Sequence, residues 1–156
     1  MRIFMTGATG FVGRATVLRL RREGHDIVAW VRTPSKAKSI LGSEAELLPV
    51  DCDETTLRNC LSKCDAIINL AGEPVAGKRW SSHYKKRLVS SRVTLTQRLI
   101  DVVRSLERKP KVLISASAVG YYGNQGAQEL SESSAQGSGF LATLCKDWEN
   151  AALQAQ

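Results

Sequence analysis

Apolar and polar positions follow two alternating periods along this chain. Short aliphatic, β-branched runs alternate with stretches in which apolar residues recur every three or four positions. This alternation predicts parallel strands joined by helices. The predicted strands are residues 2–6, 26–31, 46–50, 65–70 and 111–116. The predicted helices are residues 11–22, a short helix from Pro34, a helix capped by Asp53, a long helix over 81–106 and a last helix from Phe140.

The apolar positions of two predicted helices indicate which side of each helix is buried. The first helix is expected to bury Val12, Ala15 and Leu18, with Val17 as a further candidate. The long helix is expected to bury a second set of residues at helical spacing: Leu88, Leu95, Leu99 and either Val102 or Val103. Both helices are therefore predicted to be amphipathic, with one face on a sheet or on other helices.

A glycine-rich turn lies directly between the first strand and the first helix. Gly7, Gly10 and Gly13 have the spacing GxxGxxG. In this context the first glycine permits a tight turn, the second allows backbone to approach a pyrophosphate, and the third allows close packing of helix on strand. The N–H groups of the first helical turn, which includes Phe11 and Val12, then face phosphate oxygens. The turn therefore predicts a dinucleotide site.

The strand–helix order and the glycine turn together define the expected fold class. Right-handed crossovers between consecutive strands give the strand order 3-2-1-4-5. This is an α/β Rossmann-type doubly wound parallel sheet, truncated before strand 6. The sequence stops inside the last helix without a cap signal. Residues 1–156 are therefore expected to form one NAD(P)-binding domain that is incomplete at its C-terminus.

The end of the second strand favours NADP over NAD as the cofactor. NAD-binding domains usually carry an acidic residue there, which binds the ribose 2′-hydroxyl. This chain has no acid in that position and has Arg32 instead, followed by Ser35 and Lys36. A guanidinium is suited to binding a 2′-phosphate. The alternative is that Arg32 is a solvated surface cation.

The fourth strand ends in small residues that leave room for a ligand. Leu70, Ala71 and Gly72 lie at the expected carboxyl edge of the sheet. Ligands of open α/β sheets bind at this edge. Backbone contacts from these residues to the ribose and pyrophosphate are therefore expected.

Composition and charge narrow the remaining function classes. The net charge is +7, but the cations are spread over several predicted helices and no nucleic-acid-binding motif accompanies them. No run of 18 apolar residues is present, so no membrane span is expected. No signal peptide is recognised at the N-terminus. We therefore expect a cytoplasmic protein that binds neither nucleic acid nor membrane.

Four cysteines do not form a metal-binding pattern. Cys60 and Cys64 are four residues apart, and Cys52 and Cys145 stand alone without a CxxC or histidine-rich spacing. In a reducing compartment they are expected to be small buried hydrophobic residues. No metal site is therefore predicted.

Several further motifs are spread along the chain, at residues 6–13, 69–74, 78–80, 91–93, 115–123, 140–142 and 148–149. Together they resemble the extended short-chain dehydrogenases/reductases, and more narrowly a sugar-nucleotide-epimerase-like subgroup. The resemblance covers essentially the whole chain. Members of the subgroup typically continue into a sixth strand and a C-terminal domain of unknown function, which are absent from this sequence.

The resemblance implies catalytic positions that this chain fills only in part. The superfamily uses a serine followed by a Tyr-x-x-x-Lys pair, and Ser117 matches the serine. The alignment puts Leu141 at the tyrosine position and Cys145 at the lysine position. Leucine has no proton to transfer, and a thiol does not supply a fixed positive charge. Tyr122 is the candidate substitute for the missing tyrosine, and packing of its loop is the alternative role.

The long helix carries a further candidate. Arg92 stands where extended family members have an asparagine that faces the cofactor pocket. The resemblance therefore implies that Arg92 contacts the phosphate or ribose region of NADP, and a plain surface role is the alternative. Arg87 is a weaker candidate on the same helix.

Two functions from different classes follow. The first is an NADP-dependent oxidoreductase or epimerase that acts on a small carbonyl compound or a nucleotide sugar. The second is a non-catalytic NADP-binding sensor or binding module, which the missing tyrosine and lysine favour. Related dehydrogenases often dimerise through their long helices, so a homodimer is a candidate assembly.

Overall fold

The computed structural model describes residues 1–155, which form two compact units. One comprises residues 1–72 and 101–115, and the other comprises residues 73–100 and those from Ala116 onward. The strands are β1 Arg2–Thr6, β2 Asp26–Val31, β3 Glu46–Pro49, β4 Ala66–Asn69 and β5 Val112–Ser115. The helices are α1 Phe11–Arg22, α2 Pro34–Leu41, α3 Glu54–Leu61, α4 Ser82–Val89, α5 Leu95–Arg104 and α6 Phe140–Leu153. A π-helix spans Ser90–Thr94, and a 3-10 turn spans Val119–Tyr122.

The first unit is built on a parallel sheet with the strand order β3-β2-β1-β4-β5. The predicted doubly wound Rossmann-type order is therefore confirmed. In the strand register Thr6 lies opposite Asn69 of β4, and Asn69 lies opposite Ser115 of β5. The carboxyl ends of three neighbouring strands are therefore level, and each ends in a polar side chain.

The core of the first unit lies on the central strands. Ile3, Met5, Ile27 and Ile68 pack in one cluster with Val17 of α1. Complete burial of one such side chain contributes about 1.5–3 kcal/mol relative to its exposure to water. The central strands are therefore the rigid base from which the turn after β1 extends.

The buried face of α1 differs from the sequence prediction. Val12, Ala15 and Leu18 are exposed, whereas Gly13 and Val17 are buried. Residues four apart lie on the same side of a helix, so Gly13 and Val17 form one face. That face is turned inward because Gly13 packs directly against the backbone of Gly7. Close backbone packing therefore determines the rotation of α1, and its most hydrophobic side chains do not.

The two edges of the sheet have different side chains. β3 forms one edge, where it carries Glu46 and ends in Pro49. β5 forms the other edge, where Val112 is 47% exposed and Ile114 is 55% exposed.

The predicted cap of α3 is confirmed, whereas the expected burial of the cysteines holds for Cys64 and Cys145 and is wrong for Cys52 and Cys60, which are half-buried. Asp53 caps α3 by accepting a hydrogen bond from the Thr56 N–H at 2.8 Å. All four cysteines are free thiols. Within residues 1–155 no group of three His, Cys, Asp or Glu residues is arranged to bind a metal ion.

The second unit contains α4, the π-helix, the 3-10 turn and α6. Tyr84 and Leu88 of α4 pack with Leu144 of α6 in its hydrophobic cluster. The predicted continuous helix over 81–106 is interrupted by the π-helix, although its expected inward residues are mostly buried: Leu88, Leu99, Val102 and Val103. Leu95 is only half-buried. None of the helices in the described chain has the length and apolarity that a membrane span requires.

Candidate functional site

The glycine turn between β1 and α1 is packed too tightly for side chains at two positions. Gly7 has a φ of +69°, and a Cβ there would lie 2.6 Å from the carbonyl carbon and oxygen of Leu70. A Cβ on Gly13 would lie 2.1 Å from the Gly7 carbonyl oxygen. The Gly10 N–H donates to that same oxygen at 2.9 Å. The three glycines therefore form one closed turn against the end of β4. Ala71 and Gly72 follow Leu70 at this end of the strand.

The first turn of α1 presents unused backbone donors. Gly10 is the N-cap in an extended conformation, and in the described chain no side chain caps this helix. Phe11 is 97% exposed and Val12 is 60% exposed, so the turn is open to a ligand. The first N–H groups of a helix have no partner within it and attract anions. This geometry is suited to a phosphate group.

A row of polar side chains crosses the ends of β1, β4 and β5. The Thr6 hydroxyl donates to Asn69 Oδ1 at 2.7 Å, and Asn69 Nδ2 donates to Ser115 Oγ at 3.1 Å. Thr6 Oγ1 also accepts from the N–H groups of Leu70 and Ala71, at 3.1 and 3.0 Å. Thr6 and Asn69 are fully buried. This polar row holds the Leu70–Ala71 backbone over Gly7.

Substitution of Thr6 by valine is expected to destabilise the protein on the order of 1–3 kcal/mol. Valine keeps the shape but removes the acceptor of two N–H groups and the donor to Asn69, where water does not reach. Urea unfolding would measure the change. Thr6→Ser keeps the hydroxyl and is the control. A Thr6→Val protein as stable as the unsubstituted one would show that the hydroxyl does not organise this edge.

A cavity of about 250 Å³ opens beside the glycine turn in the same unit. It is bordered by the end of β2 and the start of α2. Its lining residues are Thr9, Val31, Arg32, Thr33, Lys36 and Ala37. Two of them are cations and none is an acid. Arg32 and Lys36 are exposed at its mouth. The turn and the cavity together offer backbone N–H groups and two positive charges to a phosphorylated ligand.

In the second unit the expected catalytic serine has an acidic partner. Ser117 Oγ donates a hydrogen bond to Glu149 Oε1 of α6. Tyr122 ends the 3-10 turn and packs edge to face on Tyr121, with ring centroids 5.3 Å apart. A hydroxyl that donates to a carboxylate leaves its oxygen lone pairs available to accept a hydrogen bond from another group. Ser117 is thus equipped to accept a hydrogen bond from a ligand.

The positions that align with the missing tyrosine and lysine form part of the packing of α6. A Cβ on Gly120 would lie 3.3 Å from Leu141 Cβ and 3.6 Å from Cys145 Sγ, so the 3-10 turn lies against this face of the helix. Cys145 is buried. Burial, and secondarily the charge of Glu149, raise the pKa of the Cys145 thiol. The thiol is therefore neutral at pH 7 and does not act as a cation or as a thiolate nucleophile.

The two arginines that were predicted on the long helix over 81–106 have different surroundings. Arg87 Nη2 contacts Glu73 Oε1 at 2.9 Å, and Glu73 is buried. Arg87 therefore has a structural carboxylate partner. Arg92 is half-buried, and its guanidinium carbon lies 5.3 Å from the centre of the Trp148 ring. Burial lowers the pKa of Arg92, which remains a cation because the ordinary value is very high.

Sequence analysis missed the polar row at the strand ends and both acidic partners. Thr6 ends a predicted strand, and Asn69 and Ser115 each lie one residue before the end of one, so polar residues near the ends of these strands are a signal that could have been used. Glu73 and Glu149 carried no local signal, because their partners are distant in sequence. The candidates otherwise divide between the units: the glycine turn, Leu70–Gly72 and Arg32 in the first, and Arg92, Ser117 and Tyr122 in the second.

Comparison with known proteins identifies the family. The model of the NAD dependent epimerase/dehydratase family matches residues 3–142. The chain belongs to this family. The family is the one that the sequence motifs resembled, as an extended short-chain dehydrogenase/reductase of the epimerase-like kind.

Individual relatives agree with this family membership. The chain is 40% identical over 157 residues to the epimerase family protein SDR39U1 homolog, chloroplastic, of Arabidopsis thaliana, covering 99% of this chain and 45% of the relative. It is similar to the crystal structure of human SDR39U1 with NADPH, with 30% identity and a TM-score of 0.79, covering 97% of this chain and 48% of that one.

A third similar protein is the nucleoside-diphosphate sugar epimerase from Corynebacterium glutamicum, with 31% identity and a TM-score of 0.75. That match covers 99% of this chain and 31% of the other. The chain spans about half the length of the curated relatives it matches.

Proposed function

We propose that the protein binds NADP and is an NADP-dependent oxidoreductase or epimerase acting on a small carbonyl compound or a nucleotide sugar. The observation that carries the cofactor choice is the cavity beside the glycine turn, which has Arg32 and Lys36 in its lining and no acid. A 2′-phosphate requires cations there, whereas the 2′-hydroxyl of NAD is usually bound by a carboxylate. The charge of this cavity therefore favours NADP.

The remaining cofactor contacts are assigned to the glycine turn and the end of β4. The pyrophosphate is proposed to lie on the open first turn of α1, against the N–H groups of Phe11, Val12 and Gly13. Because Gly7 and Gly10 have no side chains, the pyrophosphate can approach the backbone of the turn. The backbone of Leu70–Gly72, held by Thr6, is proposed to border the ribose. The crystal structure of the human relative with NADPH supports NADP as the cofactor.

The cofactor proposal is tested by titration with NADPH, NADP⁺, NADH and NAD⁺ under one salt condition. We expect NADPH and NADP⁺ to raise the melting temperature with increasing concentration, because a ligand that binds only the folded state stabilises it by mass action. NADH and NAD⁺ should need about ten times the concentration or more, since each charge-assisted hydrogen bond contributes about 1.5–3 kcal/mol. A response to NADH that equals the response to NADPH would contradict the role of Arg32.

The catalytic part of the proposal rests on Ser117 and Tyr122. Bound NADP would supply or accept the hydride. Ser117, whose hydroxyl donates to Glu149, is proposed to accept a hydrogen bond from a substrate hydroxyl, and Tyr122 is proposed to donate or accept the proton. Arg92 remains in the proposal as a residue that binds an anionic group. Glu149 orients Ser117 and does not itself touch the substrate.

One observation favours the non-catalytic alternative. Leu141 and the neutral thiol of Cys145 occupy the positions where the superfamily has its tyrosine and lysine. The two functions are separated by assaying the full-length protein with NADPH against carbonyl compounds and nucleotide sugars. Turnover that Ser117→Ala and Tyr122→Phe each reduce at least tenfold would support the enzyme. Cofactor binding without turnover on any substrate of either class would support the sensor.

A further inference from the structure

Arg92 is the middle residue of the π-helix Ser90–Thr94, which is flanked by the regular helices α4 and α5. Short π-helical turns within α-helices are uncommon and occur frequently at functional sites. Such a turn changes the direction of the side chains it carries relative to an uninterrupted α-helix. The π-helix therefore gives the Arg92 side chain a direction that an uninterrupted α-helix would not give it.

The guanidinium of Arg92 is held by an aromatic ring. Its central carbon lies 5.3 Å from the centre of the Trp148 ring, within the range of a cation–π interaction. Trp148 is buried, and its Nε1–H donates to Thr96 Oγ1 at 3.2 Å. Thr96 is fully buried. The ring is thus fixed at one edge, and it orients the guanidinium on its face.

Most of the hydrogen-bonding capacity of Arg92 is open. A guanidinium has five N–H donors. Among its hydrogen bonds to the described residues 1–155, only Nη1 takes part, with Leu88 O at 3.5 Å and Ser91 Oγ at 3.4 Å, and both distances are longer than an ordinary N–H···O bond. Within residues 1–155 no carboxylate lies at ion-pair distance from Arg92. A half-buried cation therefore presents donors without a counter-ion.

The carboxylate that acts on Arg92, Glu73, is already paired. Glu73 contacts Arg87 at 2.9 Å and Lys78 at 3.7 Å. Two cations therefore already neutralise its single negative charge. Glu73 acts on Arg92 only at longer range.

The other two acidic groups that act on Arg92 are Cys145 and Tyr84. Burial raises the pKa of Cys145, so that its thiol is protonated at neutral pH. Tyr84 donates its hydroxyl proton to the carbonyl oxygen of Pro74. Neither group neutralises Arg92, so its charge is available to a ligand.

We propose that Arg92 binds an oxyanion of the substrate, a carboxylate or a phosphate group. The guanidinium fork matches two oxygens of either group, and the Trp148 ring holds it in place before the ligand arrives. The inference deepens the proposed function and rests on it only in assigning the anion to the substrate. It narrows the substrate class to compounds that carry a negative charge.

The phosphate groups of the cofactor have other candidate partners in the first unit. The pyrophosphate has the first turn of α1, and the 2′-phosphate has Arg32 and Lys36. Arg92 instead belongs to the unit that contains Ser117 and Tyr122, the residues proposed to act on the substrate. This division favours the substrate as the source of the oxyanion over the NADP phosphate or ribose contact that the sequence implied.

The test uses the NMR signals of the Arg92 Nε–H and the Trp148 Nε1–H in the NADPH-saturated protein. Arg92→Lys identifies the first signal by its loss, and Trp148→Phe identifies the second. Titration with inorganic phosphate, and separately with acetate, is expected to shift both signals to saturation. Arg92→Lys should weaken the phosphate effect on Trp148 about tenfold, because it loses the two-oxygen contact. The anion that binds more tightly indicates which group the substrate carries.

Lys85→Gln is the matched control, because Lys85 is also a cation over an aromatic ring of this unit, 5.2 Å from the centre of Phe140. It should leave both titrations unchanged. Unshifted signals with both anions would overturn the proposal. A shift by NADPH alone that then blocks phosphate would overturn it in favour of a cofactor contact. A protein that does not bind NADPH but still binds phosphate through Arg92 would refute the proposed function and retain the anion site.

Discussion

Replacing Gly13 by alanine is expected to reduce NADPH affinity by about a hundredfold or more and to lower the melting temperature. The added Cβ would lie 2.1 Å from the Gly7 carbonyl oxygen and 2.9 Å from the Ala8 Cα, both of which are backbone atoms. Relief of the contact requires α1 to move away from the turn, and forced overpacking typically costs about 1–3 kcal/mol. The N–H groups of the first helical turn then no longer meet the phosphate, and each charge-assisted bond contributes about 1.5–3 kcal/mol.

Two other glycines serve as controls for this substitution. A Cβ on Gly10 would meet the Gly7 carbonyl oxygen at 3.2 Å, so Gly10→Ala should have a smaller effect. Gly24 has a φ of +80° and no atom within 4 Å of a Cβ, so Gly24→Ala should cost stability without changing affinity. Calorimetric titration and thermal unfolding would measure both quantities. Unchanged NADPH affinity in Gly13→Ala would contradict the assignment of the pyrophosphate to this turn.

Substitution of Arg32 by glutamine is expected to weaken NADPH binding about ten- to hundredfold while NADH binding stays the same. The guanidinium lies in the lining of the cavity beside the glycine turn, where a 2′-phosphate is proposed to bind. Loss of one or two charge-assisted hydrogen bonds, at about 1.5–3 kcal/mol each, gives this range. The stability of the unliganded protein should change little, because Arg32 is exposed.

The control for Arg32→Gln is Lys38→Gln. Lys38 is an exposed cation on α2, the helix that follows Arg32, and it does not line the cavity. It tests whether the general positive charge of this region is responsible, so affinities should be measured at several salt concentrations. Equal losses for NADPH and NADH in Arg32→Gln would indicate that Arg32 does not contact the 2′-phosphate.

Sequence patterns predicted the first unit well, because its features are local. The five strands begin and end within one residue of their expected bounds, since each is a short apolar run closed by polar or turn residues. The strand order follows from right-handed crossovers, which leave few alternatives. Gly7 and Gly13 were assigned to a tight turn and to close packing, and their contacts show both.

The features that sequence analysis missed depend on contacts between distant residues. The face of α1 is determined by the approach of Gly13 to Gly7, which hydrophobicity does not encode. The π-helix within the predicted helix over 81–106 has no signal in the residue periodicity. Ser117 and Glu149 are 32 residues apart, and only the fold brings them together.

The two edges of the sheet differ in how readily they can pair with an additional strand. A strand on an open edge can pair with any extended segment that meets it. At β3 such pairing is hindered by Pro49, which has no N–H to donate. At β5 the exposed Val112 and Ile114 provide an apolar surface for an incoming strand, flanked by Lys109 and Lys111. An additional strand that extends this sheet should therefore pair at β5 and not at β3.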